Sequence, residues 1–229
     1  MDETKITAKF FKPMYDDFDR QLYRLMFKRD AFMDKMIEQE LSALRADLAG
    51  KRLSAKANAY ISGELKKLGG RKVPPLHPVS IKLRKSTAQA LEEIVRESNL
   101  VRDAFLNRLV MFLRSSDRLL TKLGMATAIN DVPGAQTMPT SPMKVLEEVL
   151  ADPFFYLRAD CRNQHGCGLY ALKLPKELHA FSCYLADDEI PGTPAFESKQ
   201  AEEEALWREL DAFENALPDF KTAREPHHG

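Results

Sequence analysis

The sequence predicts a mainly helical protein built on a duplicated strand–helix–helix unit, followed by a C-terminal region that is α+β or helical. Two observations lead to this fold class. The segment KRDAFMDKMI near residue 30 returns as VRDAFLNRLV near residue 103, aligned without gaps at a shift of 73 residues. The same shift aligns ITAKF (6–10) with VSIKL (79–83), and both segments alternate apolar and polar residues as a half-buried strand does.

In each unit the predicted strand leads into helix A, a break and helix B. Ser86 with Gln89 forms a capping box at the start of the second helix A, and Asn99 suits the left-handed conformation that ends it. Helix B starts around Asp30 and around Asp103. A strand this short is not stable alone, so each must pair, and its own copy is the evident mate. The alternative is a plain bundle of two helical hairpins, which the alternating strands disfavour.

The 229-residue chain is neutral overall, but its halves carry opposite charge. Residues 1–120 hold 24 Lys and Arg against 16 Asp and Glu, a net of +8, whereas residues 121–229 hold 10 against 18, a net of −8. A basic half favours an anionic partner such as nucleic acid. There is no membrane-length apolar run and no signal-peptide pattern, and three cysteines are too few for a disulfide scaffold. We therefore expect a cytoplasmic protein with no membrane partner.

The two copies, ITAKF…KRDAFMDKMI and VSIKL…VRDAFLNRLV, together resemble the ribbon-helix-helix superfamily, the group of the Arc and methionine repressors. The resemblance covers roughly residues 5–48 and 78–118. In that family two strands, usually from two chains, pair antiparallel into a ribbon that enters the DNA major groove. Here one chain carries both, as in tandem members. The resemblance implies a sequence-specific double-stranded-DNA-binding protein, either a transcriptional repressor or a plasmid-type nucleoprotein component.

Alternation assigns one face of each predicted strand to the core and the other to the outside. The inward residues are Ile6, Ala8, Phe10, Val79, Ile81 and Leu83. By the resemblance, the outward residues contact base edges; they are Thr7, Lys9, Phe11, Ser80, Lys82 and Arg84. Phe11 departs from the polar pattern and either touches a base methyl or joins the core. Because the strands differ, an asymmetric DNA site is expected. The alternative is a row of charges that blocks aggregation at an exposed edge.

Phosphate contacts are expected at the helix B starts and in the connector between the units. Helix starts offer free backbone N–H groups, with Arg29 and Arg102 as a charge clamp, whereas Asp30 and Asp103 either repel phosphate or cap the helices. Residues 45–85 hold 11 Lys and Arg against two acids. The connector residues expected to follow phosphates are Lys66, Lys67, Arg71 and Lys72. A solvated linker is the alternative.

The sequence divides into a first unit (1–48), a basic connector (49–77), a second unit (78–125), a Pro-containing linker (126–142) and an acidic C-terminal region (143–229). A short helix in the connector begins after Ser54, and another helix opens at Ser141. Three stretches read as short strands or buried segments: FFYLRADC, LYALKL and HAFSCYL. A last helix is flanked by Trp207, and its apolar stripe is Leu206, Leu210, Phe213 and Leu217.

Two other functions stay open. An adaptor or antitoxin-like protein would bind a protein partner, or self-associate, through the acidic C-terminal half. A DNA-acting enzyme is less favoured, because the chain has no G-x-S-x-G, H-E-x-x-H, Walker or dinucleotide motif. We therefore expect no enzymatic activity and no cofactor. No metal site is expected either. The paired C-x₂-C pattern is missing from Cys161, His165, Cys167, His179 and Cys183, and the acidic run Asp187-Asp188-Glu189 is typical of a charged loop.

Overall fold

The computed structural model describes residues 2–68, 76–125 and 151–216. In these ranges the protein is mainly helical and has one two-stranded antiparallel sheet. By its internal contacts the chain divides into two compact units, 1–185 and 186–229. No helix in the described ranges combines the length and apolar character that crossing a membrane requires.

Both repeat copies fold as a strand followed by two helices. The elements in chain order are β1 (Glu3–Phe11), α1 (Lys12–Arg24), α2 (Arg29–Asp47), connector helix α3 (Ala55–Lys67), β2 (Leu76–Arg84), α4 (Lys85–Ser98) and α5 (Arg102–Leu113). Both strands are longer than the alternating segments predicted from sequence. The predicted inward residues are buried except for Ile6, which is half-buried. The inner face of the sheet therefore forms part of the core.

Strands β1 and β2 pair with each other, and we call this pair the ribbon. Thr7 lies opposite Ser80, and these two residues are also equivalent at the 73-residue shift. Ile6 lies opposite Ile81, and the pair related to it by the shift is Ala8 opposite Val79. The register is therefore symmetric about the pair at the centre of the ribbon.

The turns between the two helices of each copy use the same backbone conformation. Met26 (φ 59°) and Asn99 (φ 52°), which are equivalent in the repeat, both lie in the left-handed region. Asn99 ends α4, as predicted. The capping box predicted at Ser86 is wrong, because α4 begins at Lys85 directly after the strand. The Lys85 amide instead donates to the carbonyl of Asp2 at 2.9 Å.

Helix α3 packs on the second copy. Ser54 caps it as predicted, its hydroxyl oxygen accepting the amide of the third helical residue at 3.0 Å. The Asn58 side chain donates to the Asn99 carbonyl (2.7 Å), and the Asn99 side chain donates to the Leu53 carbonyl (3.0 Å). The connector thus covers the α4–α5 turn, whereas Met26 in the equivalent turn is 92% exposed.

Residues 151–185 belong to the same compact unit as the repeat copies. Helix α6 (Asp117–Lys122) precedes this segment. The segment itself contains α7 (Phe155–His165) and a 3₁₀ helix (Lys176–Phe181). FFYLRADC is therefore helical, and Gly166 (φ 63°) ends the helix. For LYALKL and HAFSCYL the buried alternative is right and the strand alternative is wrong. The described ranges hold no strand besides β1 and β2.

Buried polar side chains of α2 and α5 hold the segment 151–185. Glu40 on α2 accepts from the Arg158 guanidinium (2.6 Å) and the Tyr170 hydroxyl (2.8 Å), and Asp47 accepts the Tyr170 amide (2.9 Å). Arg108 on α5 is fully buried and donates to three backbone carbonyls, those of Leu169, Leu172 and Phe181. Since α2 and α5 come from different copies, the segment ties the copies together.

The second compact unit contains a 3₁₀ helix (Asp187–Glu189) and the predicted last helix, α8 (Pro194–Ala216). Lys199 of α8 pairs with Asp188 at 2.7 Å. Leu206 and Trp207 are 56% and 66% exposed. Other parts of the sequence prediction lie outside the described residues: linker 126–142, the helix opening at Ser141, Arg71, Lys72, Leu217 and the side chains of Leu210 and Phe213.

Candidate nucleic-acid interface

The outer face of the ribbon is polar and cationic. Its three exposed cross-strand pairs are Lys5 with Lys82, Thr7 with Ser80, and Lys9 with Pro78. Among the described residues, none of the three lysines has an ion-pair partner. Like charges directly opposite one another on neighbouring strands repel. This face is therefore complementary to an anionic surface.

The edge of β1 is closed by side chains from α5, in the other copy. The Lys9 amide donates to the Asp103 carboxylate (3.1 Å), and the Phe11 amide donates to Asn107 (2.8 Å). The Asn107 side chain also donates to the Lys9 carbonyl (2.9 Å). Backbone groups at a strand edge would otherwise be free to pair with another chain, so these contacts fix the ribbon as two strands.

The edge of β2 is closed in the same way by α2. The Lys82 amide approaches the Asp30 carboxylate (3.4 Å), and the Arg84 amide donates to Asp34 (2.9 Å). All four residues are the 73-residue equivalents of those at the β1 edge. The helix N-caps are Lys28 and Val101 rather than aspartates. The expected capping role of the two aspartates is therefore wrong, and they serve the ribbon edges instead.

Arg29 and Arg102 brace the centre of the ribbon. Arg29 donates to the Ser80 carbonyl (3.3 Å) and Arg102 donates to the Thr7 carbonyl (2.6 Å), again a pair related by the repeat. Arg29 also pairs with Asp30, and Arg102 pairs with Glu92 and Asp103. These arginines, which were predicted as phosphate contacts, therefore use part of their N–H donors in contacts within the protein.

Two of the six residues predicted to contact bases are engaged with the protein. The Phe11 side chain is half-buried, with its ring centroid 6.5 Å from that of Phe181. The Arg84 guanidinium pairs with the carboxylates of Asp34 and Glu38 on α2. Both residues lie at the last position of a strand, where the adjoining helices reach them. The other four, Thr7, Lys9, Ser80 and Lys82, lie on the exposed face.

Lys5 belongs to the exposed face but was not among the predicted site residues. The alternating segment shared by the two copies starts at Ile6, whereas β1 begins at Glu3. The polar–apolar alternation of Thr7 and Lys9 continues upstream to Lys5, so the signal was present in the sequence. That Lys5 lies opposite Lys82 is a consequence of the register alone.

An open groove flanks each edge of the ribbon. The groove at the start of α2 has a volume of about 790 Å³, and its cations include Lys28, Arg29 and Lys82. The groove at the start of α5 has a volume of about 380 Å³, and its cations are Lys9, Lys66 and Arg102. Neither helix has a side-chain N-cap, so N–H groups of the first turn are available to a ligand. Helix N-termini bind phosphate, but Asp30 and Asp103 in the first turns add a carboxylate to each groove. The lysines Lys28 and Lys66 are therefore the stronger candidates for phosphate contacts.

The connector residues predicted to follow phosphates have different surroundings. Lys66 is exposed and lines the groove at α5. Lys67 pairs with Glu64 at 2.7 Å. Of these two lysines, Lys66 is therefore the better placed to meet DNA beside the ribbon.

Among the cysteines and histidines considered as metal ligands, Cys161 and Cys167 interact with each other, and the two histidines are engaged elsewhere. His165 contacts the Leu123 carbonyl (2.9 Å) and His179 contacts the Tyr60 hydroxyl (3.2 Å). Cys161 and Cys183 are buried. Within the described residues, no group of three or more His, Cys, Asp or Glu is placed to hold a metal ion.

Comparison with known proteins gives no indication of the family or function of this chain. No model of a protein family, no curated protein and no solved structure matches this chain. The features that indicate a function are therefore the repeat, the ribbon and the charges on its exposed face.

Proposed function

We propose that this protein binds double-stranded DNA in a sequence-specific manner, as a ribbon-helix-helix protein with both motifs in one chain. Its role is that of a transcriptional repressor or a plasmid-type nucleoprotein component. No catalytic step is part of this proposal. The observation that carries it is the outer face of the ribbon, where three lysines without ion-pair partners in the described residues flank Thr7 and Ser80.

The tandem arrangement is supported by the repeated contacts at the ribbon. Three contacts that α2 makes with β2 recur between α5 and β1 at the 73-residue shift. They come from the arginine that donates to a strand carbonyl, the aspartate that follows it and the side chain four residues further on, which is Asp34 in α2 and Asn107 in α5. In a dimer of two chains such contacts would be related by the dimer axis. Here they occur within one chain, which argues for a single-chain equivalent of the dimer.

The dimensions and chemistry of the ribbon suit the major groove of B-DNA. That groove is about 12 Å wide and admits a two-stranded ribbon. Lysines donate to guanine O6 and N7, and the hydroxyls of Thr7 and Ser80 serve donors or acceptors at the centre. The flanking helix starts then lie beside the backbone, with Lys28 at one groove and Lys66 at the other as phosphate contacts.

Binding of the full chain to a random-sequence duplex pool tests the electrostatic part of this proposal. We expect affinity to fall steeply between about 50 and about 200 mM salt, with a log–log slope near −0.9 for each phosphate neutralised. Lys66→Met should weaken binding to all sequences alike and reduce the slope by about 1. Lys35→Met, an exposed lysine of α2 that lines neither groove, is the matched control.

The ribbon assignment is tested by Lys82→Met on a sequence enriched from the same pool. Loss of one base contact should cost about 1–3 kcal/mol on that sequence and relax selection at one base position. Thermal stability should stay within about 0.5 kcal/mol, because the side chain is exposed. If Lys82→Met weakens all sequences equally, as Lys66→Met does, the ribbon does not read bases.

A second function, association through the C-terminal helix, is favoured by the surface of α8. Its sequence carries seven acidic and two basic residues, and Leu206 and Trp207 are more than half exposed within this acidic helix. Contiguous exposed apolar side chains mark contact surfaces, and Leu206 and Trp207 are neighbours in the sequence. The helix would bind a protein partner or a second copy of the chain.

Self-association is tested through Trp207, the only tryptophan of the chain. If copies associate through α8, tryptophan emission should shift to shorter wavelength as protein concentration rises, in parallel with the mass measured by sedimentation. Leu206→Glu should abolish both changes. Emission typical of exposed tryptophan together with a constant mass, over the whole concentration range, would exclude a second copy as the partner.

A further inference from the structure

The exposed face of the ribbon is asymmetric although its backbone is symmetric. On one side of the central Thr7–Ser80 pair, Lys5 lies opposite Lys82; on the other side, Lys9 lies opposite Pro78. The repeat equates Lys9 with Lys82 and Lys5 with Pro78. In the antiparallel ribbon, only the central pair, Thr7 and Ser80, joins two residues that the repeat equates. On either side of that pair, each residue lies opposite a residue other than its repeat equivalent, which is why Lys5 lies opposite Lys82.

The Lys5–Lys82 side carries two lysines, and the next outward position of β1 is the exposed Glu3. Residues directly opposite on paired strands have Cβ atoms about 4.5–5.5 Å apart, so the two ammonium groups can reach neighbouring base pairs. Neither lysine has an acidic partner among the described residues. Guanine offers two acceptors, O6 and N7, in the major groove, and lysine pairs with them. Adjacent guanines, on the same or opposite DNA strands, are the bases that satisfy both cations.

The Lys9–Pro78 side has different chemistry. Only Lys9 can donate to a base there, and the exposed Pro78 ring is an apolar surface that suits the thymine methyl. Lys66 lines the groove that also contains Lys9, so α3 adds a phosphate contact on this side. This side thus has fewer base donors. Each side of the ribbon has one lysine for the DNA backbone, Lys66 here and Lys28 at the groove that contains Lys82, and such contacts carry no sequence information.

We propose that the DNA target is an asymmetric duplex whose guanine-rich half lies under Lys5 and Lys82. The other half presents one guanine to Lys9 and a thymine methyl to Pro78. This inference rests on the proposed function and goes beyond it, because it names the bases of each half and the residues that select them.

The test is selection from a random duplex pool by the full-length protein, repeated with single variants. We expect an asymmetric motif from the wild-type chain. Lys5→Met and Lys82→Met should relax base preference in the same half, whereas Lys9→Met should relax it in the other. On the wild-type motif each variant should lose about 5- to 150-fold in affinity. Lys35→Met is again the matched control, and an unchanged melting temperature shows that each variant is folded.

Pro78→Lys provides a gain-of-function arm. With a lysine opposite Lys9, both sides of the ribbon carry two lysines, and the selected motif should become closer to a palindrome. A palindromic motif from the wild-type chain, or relaxation in opposite halves by Lys5→Met and Lys82→Met, overturns this inference while leaving DNA binding intact. A pool with no enriched sequence overturns the proposed function and this inference with it.

Discussion

At the residue scale, the two repeat copies solve the same local problem with different side chains. The turn between the paired helices needs one residue in the left-handed conformation, and the copies use Met26 and Asn99 there. This conformation costs most L-residues roughly 1–2 kcal/mol, and asparagine adopts it more readily than most. The first copy therefore carries local strain that the second does not.

We predict that Met26→Asn stabilises the protein by about 1 kcal/mol in urea unfolding, through relief of this backbone strain. No packing is lost, because the Met26 side chain is 92% exposed. The reciprocal change, Asn99→Met, should destabilise by more, because it also removes the hydrogen bond to the Leu53 carbonyl. A lower unfolding midpoint for Met26→Asn would show that the turn is not strained.

At the element scale, the ribbon depends on side chains that close its edges. A two-stranded sheet is marginally stable by itself. Asn107, which is fully buried, accepts the Phe11 amide and donates to the Lys9 carbonyl. The strand that carries Lys9 on its exposed face is therefore held from the opposite side by the buried Asn107.

Asn107→Ala leaves the Phe11 amide and the Lys9 carbonyl without their partner. Each buried unsatisfied group costs about 1–3 kcal/mol, so we expect a loss of about 2–3 kcal/mol in the free energy of unfolding. Hydrogen exchange at the Phe11 amide should also accelerate. Asn58→Ala, which removes one hydrogen bond in the connector, should leave that amide protected. Unchanged Phe11 exchange in Asn107→Ala would contradict the edge-closing role.

At the scale of the whole molecule, the segment 151–185 joins the two copies through buried ionisable groups. Burial raises the pKa of Glu40 by more than its hydrogen bonds to Arg158 and Tyr170 lower it. Burial also lowers the pKa of Arg108, whose guanidinium is held by backbone carbonyls. The hydrogen bonds of Glu40 and Arg108 therefore fix how the segment 151–185 docks, while the burial of these two charged groups has a desolvation cost.

The raised pKa of Glu40 predicts a pH dependence of stability. The folded state holds the Glu40 proton more tightly than the unfolded state, so this contribution is present below the ordinary glutamate pKa. It is lost as the pH rises through the folded-state value. In urea unfolding at successive pH values, wild-type stability should therefore fall relative to Glu40→Gln across this window.

Tyr170→Phe extends the same test. It removes a hydrogen bond that lowers the pKa of Glu40, so the window should move to higher pH. A constant stability difference between the wild type and Glu40→Gln at all pH values would contradict the raised pKa.

The sequence determined the elements that depend on local chemistry and periodicity. Period-two alternation predicted both strands, Ser54 predicted the start of α3, and Asn99 predicted the end of α4. The repeat predicted that the two copies share one fold. Thr7, Lys9, Ser80 and Lys82 could be predicted as exposed because alternation alone decides which way they point.

Tertiary structure decided everything that depends on which residues meet across the chain. Arg84 was predicted to contact bases, but its guanidinium pairs with Asp34 and Glu38, which come from another element. Asp103 closes a strand edge almost a hundred residues away. The grouping of Lys5 with Lys82 follows from the strand register, and the burial of Arg108 follows from the docking of residues 151–185. Local patterns set direction and propensity, whereas long-range contacts assign partners, and partners decide which charges remain available to a ligand.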